Sequence, residues 1–164
     1  MEAKNRIVRM ETSKGTMTLE LYAARAPRTV ERFMAAVNAG KYDGLKFHRI
    51  IKDFIVQGGD PQGNGTGGGN VKFEGSDVKH VPGVISMAAQ QAHVDQSDMQ
   101  FFIMTSTSSQ LDGSYTAFGH VTEGMDVLTA IAATPVAQAT WGERSHPVED
   151  VRVIKASEIL DQEK

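Results

Sequence analysis

Apolar and polar residues alternate twice near the start of the chain. Val8, Met10 and Thr12 form one run, Met17, Leu19 and Leu21 the next, and Lys14-Gly15 lies between them. A period of two broken by a turn signal predicts a β-hairpin. The period then changes. Pro27 opens a stretch in which Val30, Phe33, Met34 and Val37 fall at i, i+3, i+4 and i+7, the apolar stripe of a helix that Gly40 ends. Short strands are predicted at about 45–50 and 54–57, then near 84–88, 101–104 and 117–121, with Asp112-Gly113 marking a turn. A second helix is predicted over 125–133, with Leu128, Ile131 and Ala132 inward, and a last strand over 148–156. Many short strands, two isolated helices and no strand–helix–strand alternation predict a mainly β fold. The expected form is a closed antiparallel barrel with helices over its open ends.

The 164 residues, 40% of them hydrophobic, suffice for one domain with a real core, and 1–164 is read as a single domain. A net charge of −3 gives no electrostatic case for nucleic acid. The absence of Cys excludes thiol chemistry. No segment is apolar for long enough to span a membrane, and residues 1–14 do not read as a signal peptide, so the expectation is a cytoplasmic protein without membrane partners.

Residues Phe47-His48-Arg49-Ile50-Ile51 set an arginine among apolar neighbours. Strand alternation predicts Phe47, Arg49 and Ile51 on one face and His48 and Ile50 on the other. An arginine there is either snorkelling, stem buried and head in water, or its charge is used. The glycine-rich stretch 58–69 lacks the Lys-Ser or Lys-Thr and the following helix of a phosphate loop, and is read as a flexible or tightly turned surface loop. His48, His80, His93, His120 and His146 are scattered without zinc-ligand spacing, so no metal and no cofactor are expected. No Gly-x-Ser-x-Gly elbow is present. His48 is read as a structural, hydrogen-bonding histidine, a possible support for Arg49. Of Phe101 and Phe102, one must face the core and the other is open to a pocket role.

Taken in order, several motifs resemble the signature of the cyclophilins, the cyclophilin-type peptidyl-prolyl isomerases. They are Phe47-His48-Arg49-Ile50-Ile51 with Phe54 and Gln57-Gly58-Gly59-Asp60, then Gly83-Val84-Ile85-Ser86-Met87-Ala88. Gln100-Phe101-Phe102-Ile103, Leu111-Asp112-Gly113 and Phe118-Gly119-His120 follow. The resemblance implies an eight-stranded antiparallel barrel capped by two helices, and catalysis of rotation about X-Pro bonds. It implies that Arg49 is the catalytic arginine and that Phe54, Ile55, Phe102 and Leu111 form a proline pocket. Gln57 and Gln100 would hold the substrate backbone, Ala88 the groove floor, and Ala89 would pair its backbone with the peptide. The implied partners are proline-containing peptides and unfolded protein clients, and the chain is read as a monomer. An alternative reading is a proline-binding, chaperone-like module with little turnover.

Three departures from the family pattern bear on the outer groove. Gln110 stands where many eukaryotic members carry Trp, so the resemblance implies weak cyclosporin binding. Tyr115, which the resemblance also places in the substrate-binding site, stands where they carry His. The segment 90–98 is longer than usual. Trp141, the only tryptophan, is expected to be remote from the groove.

Overall fold

The computed structural model describes residues 4–89, 95–139 and 142–160. In chain order it forms β1 (Arg6–Thr12), β2 (Gly15–Leu21), α1 (Pro27–Asn38), β3 (Arg49–Ile51), β4 (Ile55–Gly58), β5 (Asn70–Val71), β6 (Val84–Ala89) and β7 (Gln96–Met104). A short 3-10 turn, Ser109–Leu111, leads to β8 (Ala117–Glu123), α2 (Met125–Ala132), β9 (Val136–Gln138), β10 (Arg144–Pro147) and β11 (Val153–Ile159). The main sheet runs β11-β1-β2-β8-β6-β7-β4-β3, with β5 paired to β7, and β9 and β10 form a separate ribbon. The predicted opening hairpin is β1–β2, in register from Arg6–Leu21 to Thr12–Gly15.

The expected closed barrel is not what forms. The sheet curls, but among the described residues no ladder joins its edge strands β3 and β11. The bend before β3 spans that seam instead. Gly44 N–H donates to Val153 O at 2.6 Å, Val153 N–H to Leu45 O at 2.8 Å, and Phe47 N–H to Val151 O at 2.8 Å. The reason lies in the 45–50 segment, which was predicted to be one strand. Phe47 and Ile50 are both buried in the main core. Residues three apart cannot share one face of a strand, so the backbone bends and regular pairing starts only at Arg49. Phe47 therefore does not share a face with Arg49, contrary to the alternation read from sequence. Arg49 and Ile51 are half-buried on the side away from Ile50.

Both faces of the central strands are covered, which explains their unbroken apolar runs. Along β7, Phe101 and Ile103 belong to the main core, and Phe102 and Met104 to a second cluster. Along β4, Val56 faces the main core and Ile55 the second cluster. In the main core Phe101 meets the rings of Phe33, Tyr42 and Phe47 with centroids 5.7–5.9 Å apart.

The helices sit where the periodicity put them. Pro27 fills the first turn of α1, where a missing N–H costs nothing. The remaining first-turn donors are met from a distance: Glu74, 7% exposed, accepts the N–H of Arg28 at 3.1 Å and of Thr29 at 2.8 Å. Gly40, at φ +72°, lets the chain reverse after α1. The predicted last strand begins later than expected. Residues 144–147 make the small β9–β10 ribbon, and Val148 is 64% exposed.

Candidate active site

Arg49 opens β3 and faces the side of the sheet that carries the second apolar cluster. Across the ladder it pairs with Gln57 of β4, and Gln57 with Phe102 of β7. Three adjacent strands thus place an arginine, a glutamine and an aromatic ring side by side. They line a cavity of about 200 Å³ together with Phe54, Ile55, Leu111 and Tyr115, and Ala88 and Ala89 form its β6 wall. Phe102 packs edge-on against Tyr115, centroids 6.1 Å apart at 83°. Of the ten residues that the resemblance assigned to the site, nine border this one cavity. The tenth, Gln100, borders an adjoining cavity of about 260 Å³ that shares Gln57, Ala88 and Ala89 and is walled by the glycine-rich loop.

A polar chain runs along the floor of both cavities. Arg49 Nη1–H donates to Gln57 Oε1 at 2.9 Å. Gln57 Nε2–H donates to Gln100 Oε1 at 3.2 Å, and Gln100 Nε2–H reaches the carbonyls of Gly65 and Gly67 at 3.2 and 3.1 Å. The glycine loop is thus the tightly turned alternative. Asp60, fully buried, accepts from the backbone N–H of Gln62 at 2.9 Å and of Asn64 at 3.0 Å. Burial pushes the Asp60 carboxyl up, but backbone donors outweigh it and hold the group below the usual carboxylate range. A side chain at Gly67 would collide with Asp60 Oδ1, 1.9 Å from an added Cβ. Glycine is required there by proximity.

Residues 7–158 match the family described as cyclophilin-type peptidyl-prolyl cis-trans isomerase. The chain belongs to the cyclophilin family. It is 39% identical over 163 residues to a peptidyl-prolyl cis-trans isomerase-like 1 protein of Neurospora crassa, covering 95% of this chain and 96% of that one. It is 39% identical over 156 residues to the Homo sapiens protein of the same name, covering 91% and 90%. A crystal structure of a Cryptosporidium parvum cyclophilin-type isomerase superposes with a TM-score of 0.88 at 29% identity, covering 96% of this chain and 99% of the other. The same Cryptosporidium protein in the presence of the dipeptide Ala-Pro superposes with a TM-score of 0.86.

In this cyclophilin Arg49 is not the lone cation that its sequence neighbourhood suggested. Glu143, the residue just before β10, accepts Nε–H at 2.8 Å and Nη2–H at 2.9 Å, a bidentate pair. Sequence reasoning missed it, because a partner 94 residues away leaves no local pattern. His80 was also missed. It is fully buried, stacks on Phe102 at 6.0 Å and 19°, and lies 3.0 Å from both Asp112 Oδ1 and Ser86 Oγ. A carboxylate can only accept, so His80 donates from Nδ1 to Asp112 and accepts the Ser86 hydroxyl at Nε2. The order Ser–His–Asp is that of a hydrolytic triad, but Ser86 is fully buried and cannot meet a substrate. The group props the back of Phe102 and ties Leu111-Asp112 to β6.

His48 differs from its expected role. It borders neither site cavity, is 2% exposed, and neither ring nitrogen has a hydrogen-bond partner among the described residues. Burial pushes its imidazole down to about 4, the Asp60 charge opposing and Arg49 and His146 adding to the effect. A histidine held neutral in the fold binds its proton less readily than in the unfolded chain. Stability is therefore full above about pH 6.5 and is lost as pH falls towards 4, by about 3 kcal/mol. His80, also pushed down by burial, acts in the same direction. His48→Gln should flatten most of this fall. Urea midpoints at pH 7 and pH 4.5 check it, and an unchanged pH dependence in the variant would assign the effect elsewhere.

Of the three departures, Tyr115 lines the cavity and Gln110 is exposed on the 3-10 turn beside Leu111. Of the segment 90–98, residues 96–98 belong to β7. Residues 90–94 and Trp141 lie outside the described residues.

Proposed function

We propose that this chain accelerates cis–trans rotation about X-Pro bonds in peptides and unfolded proteins, with Arg49 as the catalytic group and the adjoining apolar cavity as the proline site. Rotation is opposed by amide resonance, a barrier of about 18–20 kcal/mol, and X-Pro bonds interconvert over tens to hundreds of seconds unaided. At the twisted geometry the prolyl nitrogen loses conjugation and regains a lone pair. A fixed N–H aimed at that nitrogen favours the twisted state over the planar one, which is what lowers a barrier. A guanidinium stays charged at any working pH and has five donors in a rigid plane.

The observation that carries the reading is the placement of Arg49. Its head is held on the rim of a cavity walled by Phe54, Ile55, Phe102 and Leu111, with Gln57 bonded to Nη1. Among the described residues three of its five donors are engaged, and one on each terminal nitrogen remains for a peptide. A proline ring seated against the apolar wall would bring its nitrogen to that rim, and Gln57 and Gln100 would take the neighbouring peptide groups. A module that only bound proline would have no use for an arginine oriented on three sides. A protease-coupled assay on a short X-Pro peptide tests the reading; no acceleration over the uncatalysed rate would refute it.

The groove should bind cyclosporin weakly. The cyclosporin-sensitive relatives implied by the resemblance place an indole beside the proline pocket. Here the exposed Gln110 offers a smaller apolar area and a mobile amide. Gln110→Trp should tighten cyclosporin by about 1–3 kcal/mol, roughly ten- to a hundredfold in Kd. Calorimetry on both proteins decides it, and tight wild-type binding or no gain in the variant would show that this position does not control the drug.

A further inference from the structure

Among the described residues, Glu143 supplies the only hydrogen bonds to the Arg49 head that come from outside the strands of the main sheet. The carboxylate grips the side edge of the guanidinium through two nearly parallel bonds, Nε to Oε1 and Nη2 to Oε2. Gln57 holds Nη1 from the opposite end. Glu143 is itself set by its backbone. Its carbonyl accepts the Ala139 N–H at 2.7 Å, the next residue, Arg144, pairs with Gln138, and β10 packs against β3. From just before β10, Glu143 thus reaches across to the first residue of β3.

We infer that Glu143 is a positioning residue for the isomerisation, fixing the plane of the Arg49 guanidinium so that its two remaining N–H donors face the cavity. The inference rests on the reading of Arg49 as the catalytic group. An arginine carries its head on a long flexible stem, and a single bond to Gln57 fixes one nitrogen but not the plane. Two further bonds along one edge do fix it, because fork-to-fork pairing is directional. The pair contributes little to stability: the side chains are 30% and 32% exposed, and exposed ion pairs are screened and weak. Its effect is orientation, and orientation at a reacting centre has large leverage on rate.

Glu143→Gln tests this. A glutamine keeps the shape but presents an N–H to one of the two donors, so the bidentate grip is lost. The expected result is a fall in kcat on the order of tenfold, below the hundredfold of a full ångström of misplacement because Gln57 still holds Nη1. KM should stay within about twofold, since the proline wall is untouched, and Tm within about 3 °C. In an Arg49→Ala background the same substitution should change the residual rate less than twofold, because nothing is left to orient. A Glu143→Gln protein with wild-type or higher kcat would overturn the inference. So would a loss of rate that persists without Arg49 or that comes with a large fall in Tm. A wild-type protein without activity, or an Arg49→Ala variant as active as wild type, would overturn the functional reading itself, and is told apart by those two proteins alone.

Discussion

Arg49→Ala should fold as the wild type does and lose on the order of 10²–10³ in kcat, the usual cost of removing one preorganised electrostatic donor. The fold tolerates the change because Arg49 lies outside the main core and its head is partly solvated. Its removal leaves Glu143 without its bidentate partner, but a carboxylate that is 32% exposed is hydrated. The stability cost should therefore stay within about 1 kcal/mol. Gln57 keeps its bond to Gln100, so the cavity floor is retained. Parallel thermal unfolding and protease-coupled rates check the two halves. A variant with more than half of wild-type turnover would mean that another group stabilises the twisted amide.

Phe101→Ala and Phe102→Ala should separate fold from site although the residues are neighbours. Phe101 is fully buried against three rings of the main core. Its truncation should cost about 3–5 kcal/mol, a large part of a total that is typically about 5–15. Tm should fall by about 10 °C or more. The protein that remains folded should bind an X-Pro peptide with unchanged affinity. Phe102 is 5% exposed and forms the wall between His80 and the cavity. Phe102→Ala should raise KM about tenfold, since an aromatic wall gives the proline ring its contact area. It should also lower stability less than Phe101→Ala does, because one side of the ring already borders open space. Urea unfolding and peptide titration by NMR give both quantities. The opposite assignment of losses would place Phe101 in the groove.

That pair also shows how far the sequence could be read. Hydrophobic alternation located β1, β2 and the two helices, because each buries one face and exposes the other. Along β7 both faces are buried, so periodicity could not say which phenylalanine looked into the core; the family resemblance assigned Phe102 to the pocket, and the ladder sets Phe102 opposite Gln57. The bend before Arg49 was illegible because Phe47 and Ile50 look like members of one strand until the core claims both. The β9–β10 ribbon was missed because 136–138 and 144–147 carry few large apolar residues. The polar contacts that shape the site were invisible for a different reason. Glu143 on Arg49, Glu74 on the start of α1 and Asp112 on His80 join residues 94, 45 and 32 positions apart. Such pairs leave no periodic trace. The glycines of 58–69 were legible as a turn, but not as the wrapping of a buried Asp60.

Exchange NMR on a short X-Pro peptide with a catalytic amount of protein reads the rotation itself, with no coupled enzyme. Wild-type protein should give cis–trans exchange cross-peaks at mixing times where the free peptide shows none, and Arg49→Ala at the same concentration should abolish them. Peptide resonances that shift on binding while no exchange appears would contradict it, and would make the cavity a proline-binding groove without turnover.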